Sequence, residues 1–516
     1  MLLSEIIGRN ARRWPERTAM VFGQQYHSFG LLNSHANSLA RAMTDRGVKV
    51  GERVAILADN SLEYVEVMAA AAKAGWVLMP VNTRLTEEEV GFILEDAEAS
   101  ALFISERYRE VIKAVRHRLG NLRHIISITD GEGESYRELL LASAADFQAP
   151  VTEADHCLIA YTGGTTGLPK GAMFNHRNMI VALVDGIATF GYSRRDKGLV
   201  CFPMFHIGGL YTVLVHFYLG AAVVLMTSFE PRAVLEAVQE ERVTTLTLAN
   251  PMLIALLNHP DIHRYDLSSL RCVLLAGTAL PAEILKQAVE IFGHVIYSCY
   301  SLTEAITCVT TLLPEDMVLE GPPELVQRLA SCGREDMDIE VKVVDEEGNP
   351  VAPGQVGEVI VRGDCTTQGY WKQPIRTAEA LRGGWLYTSD LATVDDGGYV
   401  YLYDRKADTI TTGGHVVSST EIEDVIYRHP GVQEAAVIGI PDIELGNAIV
   451  AVVIPKQGQA VDRQQVLALC HQNLPGYAMP RTIEVIDSLP RNPLGKVLKR
   501  SLRERFVGLP GSDPLT

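Results

Sequence analysis

Short apolar runs alternate with amphipathic stretches through most of the chain before residue 354, and this alternation restricts the chain to an α/β fold. Residues 53–57 form a strand-like run, residues 62–74 carry apolar side chains at helical spacing, and residues 76–81 are strand-like again. The same order recurs from residue 272 to residue 297, with a helix beginning near Pro281. Strand–helix–strand units pair their strands in parallel, so the alternation predicts an α/β architecture. We predict a large N-terminal domain of mixed sheets flanked by helices.

The pattern after residue 354 is first β-rich and then α/β again. Residues 391–394 and 399–403 flank the turn Asp395-Asp396-Gly397-Gly398, which is typical of a β-hairpin, and residues 357–362 form a further strand-like run. Beyond them, Ser419 or Thr420 is placed to cap a helix that runs to about Arg428, and Asp462 to cap another. The predicted strands of this last part are residues 435–440, 448–454 and 483–486. We predict an N-terminal domain over residues 1–403, with its β-rich part at about 335–403, and a small C-terminal α/β domain over residues 409–516.

Composition sets the broad class of the protein. The 516 residues are too many for one ordinary core, and 47% of them are hydrophobic. A net charge of -17 argues against a nucleic-acid partner, because phosphate backbones select clustered Lys and Arg. None of the cysteines forms a C-x-x-C pair, which argues against a zinc site, and their positions in apolar runs predict reduced, buried thiols in a cytoplasmic protein. They are Cys157, Cys201, Cys272, Cys299, Cys308, Cys332, Cys365 and Cys470.

The longest apolar segment, residues 207–226, is long enough to span a bilayer. It contains Gly208, Gly209 and Gly220, however, and its last residues are β-branched. We therefore predict a buried helix followed by a strand at residues 222–226, and no transmembrane segment. The first thirteen residues also lack the pattern of a signal peptide.

A loop rich in glycine and threonine, Tyr161-Thr162-Gly163-Gly164-Thr165-Thr166-Gly167-Leu168-Pro169-Lys170-Gly171, follows a strand-like run at residues 158–161. Glycines let the backbone approach a ligand closely, and consecutive N–H groups form a nest for an anion. The hydroxyl groups add donors, and Lys170 adds positive charge. The loop is therefore predicted to hold phosphate. It is not a Walker A loop, because Pro169 precedes Lys170 where that motif has Gly.

This loop resembles the phosphate-loop signature of the adenylate-forming superfamily, which includes acyl- and aryl-CoA synthetases, nonribosomal adenylation domains and luciferases. The chain looks closest to bacterial fatty-acid and aromatic-acid CoA ligases. Further matches follow in the order that the family has, and together they cover essentially the whole chain. They are Pro203-Met204-Phe205-His206, Ala276-Gly277-Thr278-Ala279, Tyr300-Ser301-Leu302-Thr303-Glu304, Gly384-Trp385-Leu386-Tyr387-Thr388-Ser389-Asp390, Asp404-Arg405 and Pro490-Arg491-Asn492-Pro493-Leu494-Gly495-Lys496.

The resemblance implies a ligase that couples a carboxylic acid to AMP from ATP and then transfers the acyl group to CoA. Glu304 and Thr162 would hold Mg²⁺, and Lys496 would bridge the carboxylate and the α-phosphate. Taken singly, Asp390, Arg405 and Lys496 would more often be turn or solvated residues; the ordered set favours function. The residues implied in ATP binding are Thr162, Gly163, Gly164, Thr165, Thr166, Gly167, Lys170, Gly277, Thr278, Ala279, Tyr300, Ser301, Thr303, Asp390, Arg405 and Lys496.

The resemblance also implies an acid pocket with His206 among its catalytic residues; the alternative for His206 is a core histidine. No Lys or Arg occurs among the pocket residues, which favours a monocarboxylic acid, either fatty or aromatic. The predicted pocket residues are His206, Gly208, Gly209, Met252, Gly277, Ser298, Cys299 and Ile306.

The second half-reaction would use a mobile C-terminal domain that rotates about a hinge at residues 404–408. Gly413 and Gly414 resemble the pair that lines the CoA tunnel, and Ala407 stands at the hinge position where the family usually has Asp or Lys. This departure weakens the prediction that CoA is the acceptor more than it weakens the prediction of adenylation. An amine or a carrier-protein thiol therefore stays open as the acceptor, as does a catalytically silent ligand-binding protein. Whether the chain forms a homodimer also stays open.

Overall fold

The computed structural model describes residues 1–129, 134–162, 169–277, 280, 282–406, 408–442, 445–456, 458–491 and 497–506. Contacts divide the chain into two compact units. The first comprises Met1–Val341 and Val361–Leu386, and the second comprises Lys342–Ile360 and Tyr387–Thr516. The boundary expected at residues 404–408 stays a prediction.

The helices of the first unit lie between its strands in the alternating order that the sequence predicts. They are α1 (Leu3–Arg13), α2 (Phe29–Asp45), α3 (Leu62–Ala74), α4 (Glu87–Asp96), α5 (Arg109–Val115), α6 (Tyr136–Leu139), α7 (His176–Phe190), α8 (Ile207–Leu219), α9 (Pro231–Glu241), α10 (Asn250–Leu257), α11 (Ala282–Phe292), α12 (Pro323–Val326) and α13 (Pro374–Ala380).

The strands of the first unit form two sheets. They are β1 (Thr18–Phe22), β2 (Gln25–Ser28), β3 (Arg53–Leu57), β4 (Val77–Pro80), β5 (Ala101–Ile104), β6 (His124–Ser127), β7 (Glu134–Ser135), β8 (His156–Thr162), β9 (Lys170–Asn175), β10 (Lys197–Val200), β11 (Ala222–Leu225), β12 (Thr245–Ala249), β13 (Cys272–Gly277), β14 (Ile296–Ser301), β15 (Cys308–Leu312) and β16 (Arg334–Glu335).

The two sheets have strand orders β7-β6-β5-β3-β4-β8-β9 and β16-β15-β14-β13-β12-β10-β11-β1-β2. Parallel pairing links β3 to β4 and β5, and it links β10, β12, β13 and β14 in sequence. The predicted α/β fold with parallel strands and mixed sheets is therefore confirmed. In the first sheet the chain goes from β3 to β4 on one side of β3 and then to β5 on the other side. In the second sheet it goes from β10 to β11 on one side of β10 and then to β12 on the other side. Ligands of open α/β sheets bind beyond the carboxyl ends of the strands at such switch points.

The apolar segment that begins at Ile207 forms α8 and then β11, as predicted. Its polar side chains are satisfied internally: Thr212 Oγ1 donates to Gly208 O at 2.8 Å, and the His216 imidazole lies 2.8 Å from Thr245 Oγ1. Gly220 ends the helix at φ 72°, which glycine adopts without strain. No helix in the described part of the chain combines the length and the apolar character needed to cross a bilayer.

The second unit contains most of a five-stranded sheet and a smaller α/β part. The strands of the sheet are β17 (Glu340–Val344), β18 (Gly357–Arg362), β19 (Leu381–Arg382), β20 (Trp385–Val394) and β21 (Val400–Arg405). They have the order β17-β18-β20-β19, with β21 paired to β20. The antiparallel β20–β21 pair confirms the predicted hairpin.

The α/β part of the second unit contains the remaining elements. They are β22 (Ile410–Thr412), β23 (His415–Val417), α14 (Ser419–Tyr427), β24 (Val432–Asp442), β25 (Gly446–Pro455), α15 (Arg463–Asn473), β26 (Thr482–Val485) and α16 (Lys499–Phe506). Helices pack against a three-stranded sheet of order β24-β25-β26. Buried residues of β24, β25, α14 and α15, among them Val437, Ala451, Ile426 and Val466, form the core.

The two predicted helix caps of this part have different outcomes. Asp462 caps α15, since its side chain accepts from Gln464 N. The prediction that Ser419 or Thr420 caps α14 is wrong by one residue. Ser418 has the extended backbone of a cap, and its hydroxyl accepts from Glu421 N, whereas Ser419 already lies in the helix and its hydroxyl donates to Asp404.

Candidate active site

The predicted phosphate loop connects two antiparallel strands. β8 ends at Thr162 and β9 begins at Lys170, and these two residues pair in register. Thr162 Oγ1 lies 3.5 Å from Lys170 O. The loop is therefore closed at its base by a β-ladder, which brings its first hydroxyl and its lysine together. Gly163, Gly164, Thr165, Thr166 and Gly167 lie outside the described residues.

Lys170, Glu304 and Tyr370 form one polar cluster. Lys170 Nζ donates to Tyr370 Oη at 2.6 Å and lies 3.2 Å from Glu304 Oε1. Tyr370 Oη in turn donates to the same Oε1 at 2.8 Å. Burial and the neighbouring Glu304 raise the pKa of Tyr370, so the phenol keeps its proton and remains a donor. The cluster fixes an ammonium group and a carboxylate side by side at the end of the loop.

Tyr370 reaches this cluster through backbone pairing with β9. Trp371 N donates to Gly171 O at 2.8 Å, and Met173 N donates to Gly369 O at 2.9 Å. Gly369 has φ +122°, and a Cβ there would lie 2.5 Å from Thr377 Cγ2, so glycine is required. Sequence reasoning missed Tyr370. The string Gly369-Tyr370-Trp371 between two predicted elements was its only local signal.

Glu304 is placed by a short 3₁₀ turn, Thr303–Ala305, directly after β14. Its carbonyl accepts from Thr367 N at 2.7 Å. The next residue but one, Ile306, has φ 63° and ψ −51°, and Thr307 N donates across it to Ala305 O at 2.6 Å. This three-residue γ-turn is strained for a β-branched residue and costs of order 1–3 kcal/mol. The surrounding structure imposes such a conformation, which occurs mostly at functional sites, and Ile306 is 3% exposed.

Gly277 and Tyr300, two of the residues implied in ATP binding, lie at the carboxyl ends of two adjacent parallel strands. Gly277 of β13 pairs with Tyr300 of β14, and Tyr300 is buried. Strand alternation places the side chains of Ser298 and Tyr300 on one face of the sheet and that of Cys299 on the other, where its Sγ lies 3.3 Å from Thr311 Oγ1. Ser301 and Thr303 are half-buried. Thr278 and Ala279 lie outside the described residues.

His206 is the N-cap of α8. Its Nδ1 accepts from Gly208 N at 3.1 Å, and its ring packs on Phe202 with centroids 5.0 Å apart. Desolvation lowers the pKa of His206 to about 4. The imidazole is thus neutral near pH 7, and because Nδ1 accepts, its proton is on Nε2.

The loop that carries His206 is held by Asn60, which sequence reasoning also missed. Asn60 follows β3 and is 3% exposed. Its amide donates to Phe202 O at 2.9 Å and to Met226 O at 3.0 Å, and its Oδ1 accepts from Met204 N at 2.7 Å. Asn60 therefore joins the switch point of one sheet to that of the other.

The other predicted pocket residues differ in their packing. A Cβ on Gly209 would lie 2.4 Å from Pro203 O, so this glycine allows α8 to pack on the preceding loop. Gly208 follows His206 with more room, since its nearest contact would be His206 Nδ1 at 3.5 Å. Met252 lies in the first turns of α10 and is half-buried.

In the second unit, Asp390 and Arg405 face each other across the β20–β21 ladder. Arg405 Nε lies 3.1 Å from Asp390 Oδ1, and Asp390 is 8% exposed. The preceding Ser389 has φ 62°, and Glu358 holds it by accepting from its N–H at 3.0 Å. The same Glu358 binds Lys406 at 2.9 Å. The structure thus brings together two of the residues implied in ATP binding, next to a serine with a positive φ.

Gly413 and Gly414 form the two-residue turn between β22 and β23. Their φ values are 53° and 81°, and two consecutive positive values define the type I′ turn that suits a hairpin. Gly413 N also donates to Leu445 O at 2.8 Å. These glycines have a structural role whether or not they line a tunnel. Ala407 and Lys496 lie outside the described residues.

Two family models match the chain. The AMP-binding enzyme model matches residues 7–371, and the model of the AMP-binding enzyme C-terminal domain matches residues 421–496. The first covers well over half of the chain. The chain therefore belongs to the AMP-binding enzyme family, and the predicted membership of the adenylate-forming superfamily is confirmed.

Relatives of similar length align over nearly the whole chain. A feruloyl-CoA synthase of Amycolatopsis sp is 35% identical, with 96% of this chain and 98% of that protein covered. The fatty acid–[acyl-carrier-protein] ligase ScoC of Streptomyces coeruleorubidus is 33% identical over 97% and 95%. The long-chain-fatty-acid–CoA ligase FadD13 of Mycobacterium tuberculosis is 34% identical over 93% of each chain.

Solved structures with the same fold align over nearly the whole chain. The anthranilate CoA ligase AuaEII in complex with anthranoyl-AMP has a TM-score of 0.91 and 28% identity, covering 98% of this chain and 97% of the other. The amide bond synthetase McbA of Marinactinospora thermotolerans has a TM-score of 0.88 and 28% identity, covering 98% and 100%. The chain thus has the adenylate-forming fold with both of its domains.

Proposed function

We propose that this adenylate-forming enzyme is an ATP-dependent carboxylic acid–CoA ligase. In a first step the acid attacks the α-phosphorus of ATP and releases pyrophosphate, and in a second step the CoA thiol displaces AMP. The substrate is a monocarboxylic fatty or aromatic acid. The observation that carries the proposal is the Lys170–Glu304–Tyr370 cluster at the base of the glycine-rich loop, in a chain whose relatives include CoA ligases over nearly its full length.

The first step joins two anions, so its catalysis is mainly positioning and charge neutralisation. Lys170 supplies positive charge at the loop that would hold the phosphates. Tyr370 and Glu304 restrain the ammonium group, which lowers the cost of ordering it when ATP binds. Lys496 would add a second positive charge between the carboxylate and the α-phosphate.

The carboxylate of Glu304 fits a Mg²⁺ ligand. Tyr370 and Lys170 both contact Oε1, and among the described residues Oε2 accepts no hydrogen bond. A hard cation that prefers one or two protein oxygens plus phosphates suits this arrangement. The Thr162 hydroxyl, at the other end of the loop, is the second proposed ligand. When bound, Mg²⁺ supplies neutralisation of phosphate charge.

The nucleoside and the acid are assigned to the residues that the family resemblance implies. Tyr300, with Gly277, Thr278 and Ala279, would contact adenine, and Asp390 and Arg405 would bind the ribose hydroxyls or a phosphate. The neutral His206 would face the acid with its Nε2–H. A neutral donor adds no charge that would hold the acid too tightly before it reacts.

The acceptor in the second step has one specific alternative. ScoC, by its name, uses an acyl-carrier protein, and McbA, by its name, forms amide bonds. Both are as similar to this chain as several CoA ligases are. A carrier-protein thiol or an amine is therefore the second candidate for the acceptor. Ala407, at the expected hinge position where the family usually has Asp or Lys, supports this alternative.

The test separates the two steps. Acid-dependent ATP–pyrophosphate exchange is measured with a panel of aliphatic and aromatic acids, followed by thioester formation with CoA. We expect exchange with at least one acid, and a CoA thioester with the same acid. Exchange with hydroxamate trapping but no thioester would favour the alternative acceptor, and no exchange with any acid would overturn both.

A matched pair of variants tests the site itself. Glu304→Gln should lower exchange by about 100-fold or more, because it removes the carboxylate proposed to hold Mg²⁺. Glu283→Gln, on the exposed first turn of α11, should leave exchange unchanged. Equal activity of the two variants would contradict the assignment of Glu304.

A further inference from the structure

Three potential metal ligands converge in the N-terminal part of the first unit. His27 of β2, His35 of α2 and Glu66 of α3 offer ligand atoms that all lie within 4.8 Å of one another. His27 Nδ1 lies 3.1 Å and His35 Nδ1 2.8 Å from the same oxygen, Glu66 Oε1. The proposed nucleotide and acid sites use none of these residues.

The carboxylate at the centre of this cluster is buried, since the Glu66 side chain is 2% exposed. The imidazoles of His27 and His35 and the hydroxyl of Tyr136 lie within hydrogen-bond distance of its oxygens. A buried negative charge needs a compensating cation, and a proton on an imidazole or a metal ion supplies one.

The surroundings favour a metal ion in two ways. Tyr136 of α6 donates its hydroxyl to Glu66 Oε2, and this contact orients the carboxylate as an outer-shell partner orients a metal ligand. The His27 and His35 side chains are 17% and 25% exposed. An ion therefore has a route in from solvent, and water has access to complete its coordination.

We propose that His27, His35 and Glu66 bind one divalent transition-metal ion, with Zn²⁺ as the best match. Two imidazole nitrogens and one carboxylate oxygen are a recurrent three-ligand set for zinc, which a water completes to a tetrahedron. On binding, each Nδ1 gives up the proton it shares with Oε1, either to its own Nε2 or to solvent, and its lone pair turns to the metal. The site uses no cysteine.

The proposed ion would act on stability. Its ligands tie β2, α2 and α3 together, and Tyr136 adds α6. Metal binding to a site absent from the unfolded chain stabilises the folded state. We therefore expect the melting temperature to rise with Zn²⁺, while the ATP–pyrophosphate exchange of the folded enzyme stays unchanged.

The experiment uses the untagged full chain, stripped of metal with a chelator. Zn²⁺ binding is measured by competition with a chromophoric chelator, and Co²⁺ is used to read the ligand field by visible absorption. Wild type should bind one Zn²⁺ per chain. The His27→Gln/His35→Gln double variant should bind it at least about 100-fold more weakly, and Tyr136→Phe about 10-fold more weakly.

The partly exposed histidines are the decisive positions, because loss of the buried Glu66 could unfold the chain. Circular dichroism checks that the variants are folded, and His117→Gln, at an exposed histidine, is the matched control and should bind like wild type. The proposal is overturned if the stripped wild type takes up well under one ion per chain, or if the double variant binds Zn²⁺ as tightly as His117→Gln does.

Discussion

Tyr370 donates a 2.8 Å hydrogen bond to Glu304, although 66 residues separate them in the chain. The same phenol oxygen accepts from Lys170 at 2.6 Å. Tyr370 therefore links the ammonium group of Lys170 to the carboxylate of Glu304, which is proposed to bind Mg²⁺. The opposite charges of Lys170 and Glu304 are paired before any ligand binds.

Removing the relay should weaken adenylation without unfolding the chain. Tyr370→Phe keeps the ring on which Lys170 Nζ lies, 4.2 Å from the centroid, but it removes a hydrogen bond to a charged group worth about 1.5–3 kcal/mol. We expect the exchange rate to fall by about 10–100-fold. Tyr26→Phe removes a comparable but exposed tyrosine–glutamate bond, to Glu241, and should not change the rate; a similar fall in both variants would refute the role of Tyr370.

The proposed role of Lys496 predicts a split between the two half-reactions. Lys496→Ala should abolish acid-dependent pyrophosphate exchange, because the charge between carboxylate and α-phosphate is lost where it builds in the transition state. Preformed acyl-adenylate and CoA should still give thioester at close to the wild-type rate. A rapid-quench assay of each half-reaction measures both, and an equal loss in the two would contradict this role.

Periodic elements were predictable from the sequence, and contacts between distant segments were not. The strand at Arg53–Leu57 and the helix at Leu62–Ala74 follow from local pattern and have the predicted bounds. Tyr370 lies in an irregular stretch and acquires its position only by pairing with β9. No local periodicity encodes that pairing.

The same limit applies to Asn60 and Ile306. Asn60 follows a correctly predicted strand, yet its three partners belong to loops more than 140 residues away. Ile306 was predicted to lie in the pocket, but nothing in its side chain indicates a positive φ, since β-branched residues avoid that region. The surrounding fold imposes the conformation, and local propensity opposes it.

The lowered pKa of His206 predicts that the free energy of unfolding decreases at acid pH. Its pKa is about 4 in the folded chain and about 6.5 when unfolded. Between these values the unfolded state binds more protons, so stability is present above pH 6.5 and is lost as pH falls toward 4. His206→Asn keeps an acceptor at the helix cap and removes the titration. Denaturant melts should show the slope of unfolding free energy against pH flattened by up to about 1.4 kcal/mol per pH unit in this window; an unchanged slope would rule out a neutral, desolvated imidazole.

The raised pKa of Asp336 predicts the opposite pH dependence, in which the free energy of unfolding decreases as pH rises. Burial, and then the nearby Asp185, raises the pKa of Asp336 to about 8, and burial raises that of Asp185 to about 6. A carboxyl whose folded pKa is raised destabilises the fold increasingly as pH rises from its ordinary value of 3.8 to about 8. Asp336→Asn removes this penalty, so the variant should exceed wild type in unfolding free energy by about 2 kcal/mol or more at pH 8, with the difference shrinking toward pH 4. Asp396→Asn, at an exposed aspartate in the turn between β20 and β21, is the control and should follow wild type at every pH. If the stability of Asp336→Asn did not rise above that of wild type between pH 4 and pH 8, the raised pKa of Asp336 would be contradicted.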